Sequence, residues 1–204
     1  CIRLNTALCG RTGIASNILK MYEEFLNRGI HPRAMRRGAV GEADITTITH
    51  IGLAFIGEED VNYKGKRVAA SKVRKELGLK RFRPFGMDGI SILSNSNAAE
   101  AQAVAALKKV EHVLDLSPTI IATSLEALNG NVSPFVWHTV ETKGWPQGHE
   151  AGEKILYALK GSYLWNADPK RYLQDPLSFR SSGLILATAM EELRQAKELI
   201  NQAV

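Results

Sequence analysis

Apolar residues recur every three or four positions along most of this chain, which is the period of an amphipathic helix. A small β-hairpin is expected over residues 59–68, with its turn at Tyr63-Lys64-Gly65-Lys66. The pattern therefore predicts a mainly α protein, built as a bundle of long helices. The predicted helices cover residues 14–27, 44–56, 70–77, 98–116, 118–128 and 184–204, and residues 145–149 are expected to form a loop.

Composition and charge restrict the classes of partner. The chain has 204 residues, of which 45% are hydrophobic and 23% are charged, as is ordinary for one globular domain. Its net charge is +5, but the basic residues lack interleaved aromatic residues, so no nucleic-acid partner is expected. No apolar run is long enough to cross a membrane. Cys1 and Cys9 show neither disulfide nor metal-ligand spacing, so we expect a cytoplasmic protein without a metal site.

Residues 37–50 resemble the signature segment of the histidine and phenylalanine ammonia-lyase family. That signature reads Gly-Ser-Val-Gly, then Ala-Ser-Gly, then Asp-Leu-Ala-Pro-Leu-Ala-His. This chain keeps the two flanks of the signature and their spacing. The residues that keep them are Gly38, Val40, Gly41, Asp44 and His50.

Four more segments resemble the family in the same order along the chain. The last of them, Gln174-Asp175-Pro176-Leu177-Ser178-Phe179-Arg180, is similar to the family's Gln-Asp-Pro-Tyr-Ser-Leu-Arg. From these segments the chain is identified as a member of the aromatic amino acid lyase superfamily. The resemblance implies the ammonia-lyase fold of long helices, and a homotetramer in which several subunits build each active site. The four segments are residues 3–14, 63–70, 87–97 and 174–180.

The centre of the signature departs from the family. Where the family has Ala-Ser-Gly, this chain has only Glu42-Ala43. The resemblance implies that the triad cyclises into an electrophilic methylidene-imidazolone (MIO) group, which attacks the substrate. Cyclisation needs a glycine nitrogen as nucleophile and a serine that loses water, and Glu42-Ala43 supplies neither. We therefore expect a divergent member that lacks the MIO group and carries no other cofactor.

Three candidate catalytic residues follow from the resemblance. Glu42 stands where the electrophile would form, and a desolvated carboxylate there could act as a general base. Ser94 occupies the position of the family's asparagine that hydrogen-bonds the electrophile, and Asn95 follows it. The alternative is that residues 94–97 form a structural polar network at a break between helices.

Three candidate substrate-binding residues complete the expected site. Arg180 could bind a substrate carboxylate bidentately, with a planar fork that lysine cannot reproduce. Gln174 and Asn97 also stand at positions that the resemblance assigns to the site. The alternative for Arg180 is an ion pair with Asp175 or with a neighbouring subunit.

Two residues of the signature have structural alternatives of their own. Asp44 is a natural N-cap for the helix that follows it. His50 lies on an apolar helix, where a histidine is most often a hydrogen-bonded core residue. We expect residues 41–44, 94–97 and 174–180 to converge on one polar pocket, because each carries polar residues at a break between apolar helices.

Three functions remain open from the sequence. The leading hypothesis is an MIO-independent enzyme that acts on an amino acid or a related carboxylate by a lyase, isomerase or acyl-transfer step. The alternatives are a non-catalytic scaffold with the same fold, and an ordinary ammonia-lyase whose MIO residue is misrepresented in the sequence. Residues 1–204 are expected to be one helical segment of a longer chain, stabilised by the remainder of that chain or by sister subunits.

Overall fold

A computed structural model describes residues 1–35, 37–39, 43–137, 139, 142 and 144–203 of the chain. Long helices dominate it, which confirms the predicted mainly α fold. The helices are α1 (Ile2–Leu8), α2 (Ser16–Asn27), α3 (Ile45–Ile56), α4 (Ala70–Glu76), α5 (Asp88–Leu93), α6 (Asn97–Leu128), α7 (Pro146–Ala158), α8 (Leu177–Arg180) and α9 (Ser182–Ala203). The strands are β1 (His31–Pro32), β2 (Asp60–Tyr63) and β3 (Lys66–Ala69), and 3-10 turns cover Ser133–Phe135 and Tyr163–Trp165.

The chain forms two compact units, one of residues 1–103 and one of residues 104–202. We call them the N-terminal unit and the C-terminal unit. Among the described residues, no helix is both long and apolar enough to cross a membrane. The interpretation of residues 1–204 as one segment of a longer chain stays a prediction.

The core of the N-terminal unit is centred on Phe55, which is 1% exposed. The rings of Tyr22 and Phe25 from α2 each contact Phe55 edge to face, with ring centroids 4.8 Å away. Such aromatic pairs add to the free energy of burial because the edge of one ring meets the face of another. Burial raises the pKa of Tyr22 to about 12, although the positive charge of Arg3 acts in the opposite direction.

The predicted hairpin is confirmed, and it belongs to a three-stranded antiparallel sheet. In β2 and β3, Val61 pairs with Val68, and Val61 also pairs with Pro32 of β1. β1 has only two residues, which are too few to show the alternation that marks a strand in a sequence. The sequence therefore predicted the two strands of the hairpin, β2 and β3, but not β1, which completes the sheet.

The prediction of two helices over residues 98–116 and 118–128 is wrong. α6 continues through Pro118 as one helix of 32 residues. A proline inside a helix removes one backbone donor and costs about 3 kcal/mol. Near its end α6 buries Ala122 and Leu125 in the core with Phe135, Ile155 and Leu164, and this burial offsets the cost of the proline.

The loop predicted over residues 145–149 is also wrong, because α7 begins there. Pro146 occupies the first turn of α7, where its missing N–H has no partner to lose and its fixed backbone angle favours a helix. Gly148 and Gly152 are both buried on α7. Proline and glycine so close together resemble a loop, although here they start a helix and let it pack closely.

Candidate functional site

Asp44 joins the end of the signature segment to the run of residues 94–97. Its backbone N–H donates to the carbonyl oxygen of Asn95 at 2.9 Å. Its carboxylate is buried, and Oδ2 accepts a hydrogen bond from the N–H of Ala99 at 2.7 Å. Among the candidate segments, the structure therefore brings these two together.

The predicted capping role of Asp44 needs a correction. Asp44 occupies the N-cap position of α3, but its side chain bonds no backbone N–H of that helix. It bonds Ala99, in the first turn of α6, where a negative charge is favoured by the helix dipole. Asp44 thus caps a helix that lies more than fifty residues further along the chain, which no local pattern in the sequence could indicate.

The run of residues 94–97 turns the chain from α5 into α6. Asn95 Nδ2 donates to the carbonyl oxygen of Ile92 at 2.8 Å, and Asn95 Oδ1 accepts from the N–H of Asn97 at 3.1 Å. Ser94 is the exposed C-cap residue of α5. Asn95 therefore holds the turn, which supports the structural alternative for that residue.

Asn97 is the residue of this run with an unused polar atom. Its Nδ2 and the hydroxyl of Ser96 each donate to the Glu100 carboxylate at 2.6 Å. Its Oδ1 is buried and accepts no hydrogen bond from any described residue. An unpaired buried acceptor costs about 1–3 kcal/mol. Because the atom is covered by protein, a donor could reach it only if the surrounding residues moved.

Glu42 lies outside the described residues, so its predicted catalytic role stays a prediction. The structure does describe both sides of it: the Thr46 hydroxyl donates to the carbonyl oxygen of Gly38 at 2.5 Å, and Ala43 is half-buried. The segment is thus attached to α3 before Glu42 and to Asn95 after it.

Arg180 ends the short helix α8 in the C-terminal unit. It lines a cavity of about 110 Å³ together with Phe135, Thr139, Gly148 and Gly152. Its guanidinium forms no ion pair with any residue that the structure describes. Arg180 is thus a cation beside a small cavity, with no carboxylate of a described residue within ion-pair distance.

Asp175 is not the partner of Arg180. Its buried carboxylate accepts a hydrogen bond from the N–H of Asn131 at 2.6 Å. Gln174 is exposed, as is Leu177, which takes the position of the family's tyrosine. Gln174 and Arg180 lie in the C-terminal unit and Ser94, Asn95 and Asn97 in the N-terminal unit, so the convergence of all three segments stays a prediction.

His50 is hydrogen-bonded, as its structural alternative expects, but it is half-buried and is not part of the core. Its Nδ1 lies 3.0 Å from Oε1 of Glu59, which is also half-buried. This pair connects α3 to the residue before β2.

Sequence reasoning missed a second group of buried polar residues in the N-terminal unit. Arg3 donates to the carbonyl oxygen of Ser91, and the Ser91 hydroxyl donates to the carbonyl oxygen of Thr12 at 2.6 Å. Asp88 accepts from the N–H groups of Ala15 and Phe85, each at 3.0 Å. The sequence held a signal for these residues, because segments 3–14 and 87–97 both resemble the family. Their contact joins positions more than seventy residues apart, which no local pattern indicates.

Comparison with known proteins adds three findings. A family model described as aromatic amino acid lyase matches residues 1–204. The chain is 29% identical over 200 residues to histidine ammonia-lyase of Geobacillus thermodenitrificans (strain NG80-2), covering 98% of this chain and 40% of that protein. It is 42% identical, with a TM-score of 0.92, to the ergothioneine degrading enzyme ergothionase from Treponema denticola, solved in complex with desmethyl-ergothioneine sulfonic acid.

The fold recurs in more distant structures. Phenylalanine aminomutase of Pantoea agglomerans superposes with a TM-score of 0.89 at 20% identity, over 99% of this chain and 42% of that one. The ergothionase match likewise covers 98% of this chain and 40% of that chain. The chain thus spans about two fifths of the length of the relatives it matches.

Proposed function

This chain belongs to the aromatic amino acid lyase family, and on that premise we propose that it acts in a carbon–nitrogen lyase that needs no MIO group. The substrate is an amino acid or a related carboxylate. One observation carries the proposal: Glu42-Ala43 replaces the cyclising triad inside a signature whose flanks are kept.

The residues present do not fit an MIO group. Residues 41–44 read Gly-Glu-Ala-Asp, so neither the serine nor the second glycine of the triad is available. The N–H of Asp44, the residue that follows, is already committed to Asn95, and its carboxylate to Ala99. We therefore propose that the reaction proceeds with ordinary side chains.

A substrate with a quaternary ammonium group suits such a site. Its nitrogen has no lone pair, so it can neither attack an electrophile nor be held by one. When a base removes the β-proton, the C–H electrons form the C=C bond. The C–N bond then breaks, and a neutral tertiary amine leaves with the electron pair. Two features are required of the protein, a base and a site for the carboxylate.

The similarity to ergothionase supports this substrate class. Ergothioneine is an amino-acid betaine, with a trimethylammonium group in place of the amino group. The chain is 42% identical to that ergothioneine degrading enzyme and 29% identical to a histidine ammonia-lyase. We propose an ergothioneine-type betaine as the substrate and a tertiary amine and an unsaturated carboxylate as the products.

Named residues supply the required groups. Glu42 is proposed as the base, and Arg180, without an ion pair among the described residues, as the carboxylate site. Asn97 is proposed as a substrate contact, with Ser94 and Asn95 beside it and Gln174 as a further contact. The Asp44 carboxylate holds the residues after Glu42 against the start of α6.

The proposal is tested by supplying ergothioneine and histidine separately to the full-length protein. Proton NMR should show trimethylamine and an unsaturated acid from ergothioneine, and no turnover of histidine. Glu42→Gln should bind ergothioneine and fail to convert it, with Glu59→Gln as a matched control outside the site. Conversion of histidine, together with a peptide mass that fits Ala-Ser-Gly less two waters in place of Glu42-Ala43, would show an ordinary ammonia-lyase instead. A protein that converts neither compound would support the scaffold alternative.

An apolar face of α6 supports a proposal about partners. Four apolar residues on successive turns, Val110, Val113, Leu116 and Ile120, are each at least 44% exposed. A face of this kind marks a contact with other protein. We propose that sister subunits or further protein of its own chain cover it. Light scattering and thermal unfolding of the full-length protein distinguish the two covers. An oligomer that Val113→Glu with Ile120→Glu dissociates indicates sister subunits, and a monomer that the same change destabilises indicates further protein of its own chain. A double variant with unchanged assembly and unchanged stability would contradict the proposal.

A further inference from the structure

A groove in the N-terminal unit is lined by none of the described residues of the proposed lyase site. α2 forms one wall, residues 77–82 after α4 form the other, and the volume is about 540 Å³. That volume lies in the range of small-molecule sites, roughly 300–1,000 Å³. The groove therefore has the size of a small-ligand site.

The end of α4 explains why the groove has two walls. Gly78 has φ of +65°, and the N–H of Leu79 donates to the carbonyl oxygen of Arg74 at 3.0 Å. This left-handed end of a helix reverses the chain direction. Leu79 and Phe82 then pack on the core of the N-terminal unit, while Lys80 between them is exposed.

The floor of the groove is apolar and partly aromatic. Phe25 is 3% exposed and Phe82 5%, and both belong to the core. Met21 and Leu79 are half-buried against them. A flat ring on this floor would bury apolar area against Met21 and Leu79, which are the more exposed of these residues. The thioether of Met21 favours an aromatic ligand, because sulfur packs favourably against an aromatic ring.

The rim of the groove is positive. Its one carboxylate, Glu24, is already held by Arg28 at 2.5 Å. Lys20 on α2 and Lys80 on the opposite wall form no ion pair with any described residue. The cations that line the groove are Lys20, Arg28, Lys80 and Arg81.

We propose that this groove binds an aromatic carboxylate. The ring lies on the floor beside Phe25 and Phe82, and the carboxylate lies at the rim beside Lys20 and Lys80. Charge complementarity selects the anion, because two ammonium groups are free and the single rim carboxylate is neutralised. The ligand is small, since the volume of the groove is about 540 Å³.

A local probe separates this groove from the lyase site. The chain has 4 methionines, and Met21 lies in the groove while Met190 lies in the C-terminal unit. The full-length protein is labelled with methyl-13C methionine and titrated with trans-cinnamate, and Met21→Leu identifies the Met21 signal. We expect a saturable shift of the Met21 methyl, and a much weaker effect of the neutral cinnamyl alcohol.

Paired charge reversals test the role of the rim. K20E/K80E should weaken cinnamate binding at Met21 about tenfold, because two weak charge attractions become repulsions. K66E/K72E, which reverses two exposed lysines elsewhere in the same unit, should leave the affinity unchanged. The proposal is overturned if the Met21 methyl does not shift at the solubility limit of cinnamate, or if both double variants bind it equally.

Discussion

The two units each contain a network built around a buried aspartate, and the networks differ in how completely they are paired. In the N-terminal unit, Asp44 bonds Ala99 while Asn97 Oδ1 stays buried and unpaired. In the C-terminal unit, Asp175 bonds Asn131, and the Asn129 side chain bonds both Asp168 and Arg171. All the buried unpaired side-chain atoms among the described residues lie in the N-terminal unit.

This difference separates a structural network from a candidate site. A network whose buried atoms are all paired stabilises a turn. The network around Asp175 fixes residues 129–131, where the left-handed Asn129 follows α6. The network around Asp44 instead holds the signature segment in place and has one buried acceptor, Asn97 Oδ1, without a donor among the described residues.

The largest expected effect comes from removing the two aspartates in turn. Asp44→Ala and Asp175→Ala should each lower the free energy of unfolding by about 1–3 kcal/mol, because each leaves a backbone N–H unpaired. Asp44→Ala should also lower turnover about 100-fold, as a displaced reacting group does. Asp175→Ala should lower turnover less than about tenfold, since the residue touches no reacting group. Urea unfolding measures the stability of each variant of the full-length protein, and NMR assays measure its turnover. Equal losses of turnover in the two variants would show that Asp44 is no closer to the reaction than Asp175.

The next effect concerns Arg180, which the network around Asp175 leaves unpaired. Arg180→Lys keeps the charge but loses the bidentate fork, so it should weaken carboxylate binding by about 1.5–3 kcal/mol. Calorimetric titration with ergothioneine gives the dissociation constant. Arg171→Lys is the control, because Arg171 bonds Asn129 and backbone carbonyls, and the same change there should alter stability instead. Unchanged affinity in Arg180→Lys would remove Arg180 from the site.

A smaller effect is expected from adding a side chain at Gly130, which packs against Asp175. A Cβ on Gly130 would lie 2.8 Å from Leu125 Cδ2 and 3.1 Å from Asp175 Oδ2, so Gly130→Ala should cost about 1–3 kcal/mol of stability. Gly89→Ala is the matched control. A Cβ there meets nothing within 4 Å, and alanine favours the helix by about 0.5–1 kcal/mol. Thermal unfolding separates the two, and a Gly130→Ala variant as stable as wild type would contradict the close packing.

The smallest effect is electrostatic and lies on the surface of α9. Hydrogen bonds from Arg194 and Gln195 lower the pKa of Glu191 from its usual value to about 2. Because the folded-state pKa is lowered, this stabilisation is present above pH 4.5 and is lost as the pH falls towards 2. Glu191→Gln should therefore unfold at lower temperature than wild type at pH 6, and the difference should disappear near pH 2. A difference independent of pH would point to packing instead.

The sequence predicted those parts of the fold that depend on neighbours along the chain. The helical periods of α2, α3 and α9 and the hairpin of β2 and β3 needed only local patterns. Pro118 and Pro146 led to wrong predictions of a helix break and of a loop. Pro118 lies inside α6, whose burial in the core offsets the cost of the proline, and Pro146 starts α7.

The sequence predicted which segments carry candidate site residues, because those segments resemble the family, but it did not predict how their side chains are arranged. The juxtaposition of Asp44 with Asn95 and Ala99 joins residues about fifty positions apart, and it follows from packing, which no periodicity encodes. The identity of the buried unpaired acceptor was equally hidden. Residues 94–97 are all polar, and the sequence does not distinguish them. The structure shows that Asn95 holds the turn, whereas Asn97 Oδ1 has no donor among the described residues.

The central claim is that elimination proceeds without an MIO electrophile. The most direct measurement compares the turnover of ergothioneine by the full-length protein before and after treatment with sodium borohydride, which reduces the imidazolone alkene and leaves glutamate unchanged. The account predicts equal rates of trimethylamine release in both samples. Loss of turnover after borohydride would contradict it, because an electrophilic double bond would then be part of the catalytic site.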